Sequence, residues 1–511
     1  MQQESRVTKS LLNARVNLFF YFLTLALSFF SRKLFLECLG DEFIGLTGTL
    51  GTMLGFLNLA ESGVSSAIAV VLYAPLLKRD NVTINEVVSV LGYLYNIIGK
   101  IIIFSGLLLS CFFPIIFVDT ELDFSIIYLT FYSFLGSALI GYFINYKQVL
   151  LSADQKNYVV SAYSQTANII KLILQMAVSY YTGNYYTWIL IEFVFGIIYS
   201  IILSKKIKQV YPWLNANMKD GKGLYKKYPD VMRYTKQLFI HKIGGVVYNQ
   251  ATPILVFAFT SLQTVAYYGN YTLITSKLSL LLSNFLGGTN ASVGNLIAEG
   301  DESKIIKVYW ELMSIRFLFV GLMVFAMYFL LPPFISLWLG AEYVLSETLL
   351  ILVLLSFSLG IIRGVTEEFL SGFGLFSDIW SPFIEAVILI GVAIIGGSLW
   401  GLEGTLLGSI ISSVVVIYIW KPYFLFTRGF KLPVWVYWRE LSKYLLSTGG
   451  AFYVSKLLLS FSPLQFAIDL SWIDWMLYAI IVVVVFMLVH VVLLLLITKG
   501  TRNLFYRFIR R

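Results

Sequence analysis

Apolar runs of about 20 residues follow one another along the whole of this chain, and nothing else in the sequence restricts its fold as strongly. Each run is long enough to cross the hydrocarbon core of a bilayer as a helix. Residue usage agrees, with 58% hydrophobic and 13% charged residues against roughly 25% charged in soluble chains. The expected class is therefore an all-α polytopic membrane protein. Leu18 to Phe30 follows a polar start without a small-residue cleavage pattern, so it reads as a retained first span and not as a signal peptide. Two cysteines, Cys38 and Cys111, make no disulfide framework.

Fourteen spans are expected, at 14–36, 43–72, 88–118, 124–148, 158–181, 187–204, 238–260, 265–297, 308–331, 346–370, 379–398, 403–425, 441–462 and 473–498. Lys and Arg beside spans stay cytoplasmic because positive loops resist translocation. The longest polar break runs from Lys205 to Lys242 and is strongly basic, with only Asp220 and Asp230 as acids. It orients the chain. On the same side fall Lys78 and Arg79, Lys147 and Lys156, Lys304 and Lys307, Arg428 and Lys431, and the tail from Lys499 to Arg511. Opposite lie Asp119, Glu121, Asp123, Glu342, Glu347, Glu403, Asp469 and Asp474, with Arg32 and Lys33 as basic exceptions. Both termini are thus expected inside. The net charge of +9 sits at helix ends and forms no face, so topology accounts for it and no nucleic-acid partner is implied. The outside loops are short and leave no room for an external domain.

Arg6-Val-Thr-Lys9 precedes the first span and Arg233-Tyr-Thr-Lys236 the seventh, 227 residues on; the same offset places Ser65 on Ser292. Both copies enter from the cytoplasm, so the expected repeat is parallel, with a site between the halves near the midplane. The expected division is 1–204 as an N-terminal six-helix bundle, 205–237 as a basic cytoplasmic linker, 238–425 as a C-terminal six-helix bundle, and 426–511 as two additional peripheral helices with a basic tail.

Polar residues inside the spans are the candidate site. Asn13, Asn17, Tyr21, Thr24, Ser28 and Arg32 share one face of the first span. Thr47, Gly51, Gly55, Asn58, Ser62 and Ser65 form a second stripe, with Glu61 at its edge. Such stripes face protein or water, because lipid cannot satisfy them, but small and hydroxyl residues also glue membrane helices together. Charged residues cost about 2.5–3.5 kcal/mol at a span centre. The basic ones are Arg32, Lys100, Lys171, Lys277, Arg316 and Arg363; the acidic ones are Glu61, Glu192 and Glu385. Lys171, with Gln165, Asn168 and Gln175 on its side of the helix, leads the candidates for lining a cavity, and Lys100 follows. For Arg32 and Arg316, near span ends, snorkelling competes equally. Arg363 has Glu367 at i+4, so an ion pair competes with ligand contact. Glu192, Glu385 and His490 read as packed or interfacial. Six basic against three acidic groups suit an anionic cargo, and abundant tyrosine suits stacking on sugar rings, although interfacial aromatic belts also use tyrosine. No P-loop, paired Cys/His metal spacing or nucleophile–base pair is present.

Ala60-Glu61-Ser62-Gly63-Val64-Ser65-Ser66-Ala67-Ile68, then Leu72-Tyr73-Ala74-Pro75-Leu76, with Leu39-Gly40-Asp41-Glu42-Phe43-Ile44-Gly45-Leu46 upstream, resembles the second span of the bacterial polysaccharide transporters. These are the O-antigen and capsule repeat-unit flippases of the multidrug/oligosaccharidyl-lipid/polysaccharide flippase superfamily. The detailed match covers roughly residues 6–90. The resemblance implies a non-enzymatic inner-membrane flippase with a V-shaped central cavity between the bundles. By alternating access it would move an undecaprenyl-pyrophosphate-linked oligosaccharide from the cytoplasmic to the periplasmic leaflet, serving O-antigen, capsule or exopolysaccharide synthesis. Its partners would be that lipid-linked substrate, membrane lipids, and the polymerase and chain-length regulator of the same pathway. No cofactor is implied, and coupling to a proton or sodium gradient stays open. The site residues expected are Lys171, Lys100, Arg32, Asn17, Asn58, Glu61, Lys277 and Arg363. A drug/cation antiporter of the superfamily would favour acidic groups in its cavity. A lipid II flippase would carry nearly the same anionic cargo, and only rescue of peptidoglycan synthesis separates it. A polymerase or glycosyltransferase is disfavoured by the short outside loops.

Overall fold

The computed structural model describes residues 6–509 except 62, 287–288, 376 and 462–470; the side chains of 6–11, 60, 240–244, 248–249, 290–291 and 508–509 also lie outside the description. The described chain is all helical, 89% helix with no strand. In order the principal helices are α1 (Arg6–Leu57), α2 (Val64–Lys78), α3 (Asn81–Ser110), α4 (Phe124–Phe143), α5 (Asn157–Thr182), α6 (Tyr185–Val210), α7 (Met218–Leu224), α8 (Pro229–Phe259), α9 (Leu262–Leu286) and α10 (Thr289–Glu299). The series continues with α11 (Glu302–Trp338), α12 (Glu347–Gly372), α13 (Ser381–Ser412), α14 (Trp435–Ser460), α15 (Trp472–Ile497) and α16 (Lys499–Ile509). Every expected span has a helical counterpart. Among the described residues, eight helical runs pass a strict test of length and apolarity for crossing a membrane. The molecule is a multi-pass membrane protein.

The sequence starts these helices with short polar caps. Asp80 accepts from the Thr83 amide at 3.0 Å, Asp301 from the Lys304 amide at 3.0 Å, and Asn184 from the Thr187 amide at 3.0 Å. Ser471 and Asp474 form a reciprocal capping box. These hydrogen bonds hold the Asp80 and Asp301 carboxyls below the usual carboxylate range, chiefly through the Thr83 hydroxyl and the Lys304 amide respectively.

Three expectations change in detail. The first two spans belong to one helical run, α1, which kinks at Gly40 (φ 78°). The span expected over 43–72 is not continuous: α1 ends at Leu57, a 3₁₀ turn covers Asn58–Glu61, and α2 starts at Val64 after Gly63 in a left-handed conformation. The expected spans 379–398 and 403–425 run together through a non-helical Trp400–Gly401 joint. There Gly396 and Gly404 bring two backbones together, since a Cβ on Gly404 would lie 1.9 Å from the Gly396 carbonyl oxygen.

The chain divides into two compact units, Met1–Ala266 and Tyr267–Arg511. Helix α8, which the sequence places in the second bundle, packs on α1 and α2 within the first unit. Part of the basic segment is a docked structure. Its α7 lies on α3, Lys227 Nζ pairs with Glu86 at 2.6 Å, the Asn217 amide donates to Ser89 at 3.0 Å, and a Cβ on Gly221 would lie 2.1 Å from the Ser89 carbonyl oxygen.

In the second unit α14 and α15 are not merely peripheral. Tyr478, Val482 and Phe486 of α15 and Ala451 of α14 are buried in one cluster with Phe325 and Leu330 of α11. His490 continues the buried stripe of α15 and shares a 3.2 Å hydrogen bond with Thr448. The other faces of α15 are exposed, as expected for an apolar helix meeting lipid.

Candidate functional site

The interruption at 58–63 is where the first unit gathers its polar groups. Gly63 has φ 98°, a conformation that side chains rarely tolerate. A Cβ there would also lie 2.9 Å from the Phe239 amide and 3.0 Å from the Thr235 carbonyl oxygen of α8. Gly55 meets the Gln250 side chain, and Gly45 meets the Leu262 backbone. Of the second stripe, Gly55 thus packs helix on helix, as the packing alternative has it, whereas a Cβ on Gly51 would meet nothing within 4 Å. The loss of helical hydrogen bonds at the interruption is tolerable at membrane depth because that backbone lies against protein.

Beside Gly63 the Glu61 carboxylate accepts hydrogen bonds from Ser65 at 2.8 Å and from the Tyr95 hydroxyl at 2.5 Å; Ser65 and Tyr95 are themselves hydrogen-bonded. The Tyr142 hydroxyl donates to Asn58 Oδ1 at 2.9 Å, and its ring meets that of Tyr95 edge-on, with centroids 5.4 Å apart. Four segments therefore converge: the 3₁₀ turn, α2, α3 and α4. Among the described side chains, the partners of Glu61 are hydroxyls and not a cation. A hydrogen bond to a charged acceptor contributes about 1.5–3 kcal/mol. Two of them are comparable to the roughly 2.5–3.5 kcal/mol cost of a charge at a span centre, so the hydroxyls can support this carboxylate without a cation.

Sequence reasoning missed Tyr95 and Tyr142, which are both buried. Tyr95 sits on the apolar stripe Val88, Leu91, Tyr95, Ile98 and Ile102. A tyrosine on a buried stripe needs a partner for its hydroxyl, and that was the available signal.

The other expected residues do not all join this cluster. Asn58 and Glu61 do. Lys100 lies on the exposed face of α3 with Ile97, Ile101 and Phe104, turned away from Tyr95. Asn17 is exposed on α1 beside Leu18 and Phe19. Arg32 is half-buried and donates from Nη2 to the Ala266 carbonyl at 2.8 Å. Lys171 is held by Glu192 at 2.7 Å, and Gln175 donates to the other Glu192 oxygen at 3.0 Å. Glu192, read from the sequence as a packed residue, is thus the counter-charge of the leading candidate.

In the second unit, Lys277 is half-buried on α9. Arg363 pairs with Glu367 at 2.8 Å, as the i+4 spacing suggested, and also with Glu385 at 3.3 Å. Arg316 is buried, donates from Nη1 to the Ile361 carbonyl at 2.7 Å, and forms an ion pair with Glu368. Glu368 accepts a further bond from Thr289 at 2.8 Å. With Glu367 and Glu368 added to the three acidic groups counted from the sequence, five acids face six bases. The interior is close to balanced, and any preference for an anion rests on where the exposed cations lie, not on an overall excess. Ser62 of the signature and the side chains of Arg6 and Lys9 in the internal match lie outside the described residues.

By sequence, no family model matches this chain and no curated protein aligns with it. By structure, it is similar to the lipid II flippase MurJ in an inward closed conformation, with a TM-score of 0.67 over 98% of this chain and 100% of that one at 16% identity. The fold is that of the MOP-superfamily transporters. An inward-facing multidrug resistance MATE transporter of that superfamily matches with a TM-score of 0.60 over 80% of this chain and 97% of that one at 17% identity. A Pyrococcus furiosus superfamily member, described as having a binding pocket of reversed polarity, matches at 0.51 over 80% of this chain and 94% of that one, with 14% identity. These neighbours are transporters and flippases.

Proposed function

We propose that this protein is a flippase carrying an undecaprenyl-pyrophosphate-linked oligosaccharide repeat unit from the cytoplasmic to the periplasmic leaflet for surface polysaccharide synthesis. The observation that carries the reading is a coincidence. The segment resembling the polysaccharide transporters, Ala60 to Ile68, is where the helix is interrupted and where Glu61, Asn58, Ser65, Tyr95 and Tyr142 assemble. Interrupted spans are a recurrent mark of the substrate region in transporter folds, and backbone of this kind is kept at membrane depth where it lies against protein or lines a cavity.

On this reading the pyrophosphate or acidic sugars meet Lys100 and Arg32, while Lys171 contributes only when its pair with Glu192 opens. Asn17 and Lys277 are further polar contacts along the path, and Glu61 sets the charge at the gate. On this reading both termini are cytoplasmic, which the basic segments favour, and the protein works in the bacterial inner membrane, where the polymerase and chain-length regulator of the pathway would receive its product. The nearly balanced interior removes one argument against a cation antiporter. The resemblance of residues 6–90 then favours the glycolipid cargo.

Deleting the gene in its host and following lipid-linked sugars together with surface polymer tests the proposal. The expected result is loss of surface polymer with single lipid-linked units held on the cytoplasmic leaflet. Units that reach the periplasmic leaflet but fail to polymerise would return the polymerase class. Lipid II is a second reading, favoured by the end-to-end match to a lipid II flippase. Rescue of a strain depleted of its own lipid II flippase would establish it.

A further inference from the structure

The second unit contains a cavity of about 410 Å³ that the reading above leaves unused, lined by Ser283 and Leu286 of α9, Arg316 of α11, and Gly360, Glu367 and Glu368 of α12 among others. Its size lies within the range of about 300–1,000 Å³ usual for small-molecule sites. We propose that this cavity is a subsite for a neutral, polyhydroxylated ligand, namely a sugar residue of the cargo; the inference rests on the flippase reading and names a sugar contact within it.

The charge pattern decides the ligand class. The Arg316 charge is met by Glu368, so the pocket has no free cation to select a phosphate. Glu367 is met by Arg363 and Glu368 by Arg316, so it has no unmatched carboxylate to select a cation. What remains is hydrogen-bonding capacity without net charge. A guanidinium has five N–H donors, and the bonds of Arg316 to the Ile361 carbonyl and Glu368 use one each on Nη1 and Nη2. Glu367 uses one oxygen on Arg363 and its side chain is 43% exposed, leaving the second oxygen as an acceptor. Ser283 and Ser371 add hydroxyls. Donors and acceptors set side by side against an apolar wall of Leu282, Leu286 and Ile361 match a sugar ring, whose hydroxyls need both and whose C–H face needs the wall.

Two glycines shape the site differently. A Cβ on Gly364 would lie 2.4 Å from Arg316 Nη1, so Gly364 seats the guanidinium. A Cβ on Gly360 meets nothing within 4 Å. A larger side chain there projects without a backbone clash, and within a helix it is favoured over glycine.

Gly360→Leu is therefore the test, with Glu367→Gln as a second variant that keeps the shape and changes one acceptor. Full-length protein in nanodiscs is titrated with the host's lipid-linked repeat unit, extracted from a polymerase-deficient strain, and with sugar-free undecaprenyl pyrophosphate. Wild type should bind the sugar-bearing lipid at least tenfold more tightly than the bare one. Gly360→Leu should abolish that difference and leave bare-lipid binding and the unfolding temperature unchanged, and Glu367→Gln should reduce it several-fold. A difference that survives both variants overturns the subsite. Equal wild-type binding of the two lipids also overturns it but leaves the flippase reading intact. Wild type that binds neither lipid removes the flippase reading and the subsite together.

Discussion

Glu61 in the first unit and Glu368 in the second are half-buried or buried carboxylates that solve one electrostatic problem in different ways. Glu368 is neutralised by Arg316 and tied to Thr289. Glu61 accepts instead from the Ser65 and Tyr95 hydroxyls at an interrupted helix, with no cation among its described partners. A matched ion pair is strongly held once formed, because removing either partner strands the other in low dielectric. A hydroxyl-solvated carboxylate can change partners at smaller cost, since each neutral donor is replaceable by water or ligand. The first arrangement suits a fixed framework and the second suits a place that must respond to cargo.

The largest expected effect breaks the framework side. Arg316→Ala should lower the unfolding free energy in detergent by about 3–5 kcal/mol, the usual cost of leaving one buried charge unpaired. Adding Glu368→Gln should restore more than half of that loss. No restoration would show that packing of the guanidinium on Gly364, rather than charge pairing, carries its contribution.

A smaller loss is expected where the interruption is held. Gly63→Ala should cost roughly 2–3 kcal/mol, from a side chain at φ 98° and from contact with the α8 backbone. Gly360→Ala, helical and facing open space, should be neutral or slightly stabilising. Thermal unfolding of the two variants side by side checks this, and equal effects would mean that the Gly63 geometry is not under constraint.

A small effect on stability should accompany a large effect on transport. Glu61→Gln retains an acceptor for Ser65 and Tyr95, so stability should change by no more than about 1 kcal/mol. Surface polymer in a complemented deletion strain should nonetheless fall severalfold. If stability falls as far as in Arg316→Ala, Glu61 is as much framework as Glu368, and the contrast between the units disappears.

Much of the fold was legible in the sequence because bilayer thickness imposes a length that apolar runs either reach or miss. The i+4 pair of Arg363 and Glu367 was legible for the same kind of reason, since helical spacing alone brings them together. The partners of Lys171 and Arg316 were not, because Glu192 and Glu368 lie on neighbouring helices, and their approach depends on helix rotation and depth. Tyr95 was hidden among other tyrosines until a buried stripe set it opposite Glu61.

By itself, then, the sequence determined that the chain spans a membrane many times as helices and that a Gly-containing polar signature sits in the second span. Hydrophobic length and local hydrogen bonding act over a few residues and need no neighbours. Only the tertiary structure decided that this span is interrupted at Asn58–Gly63, that α8 packs against the interruption, and which buried charges are matched. Those outcomes depend on contacts between segments tens to hundreds of residues apart, where a few ångströms separate a free cation from an ion pair.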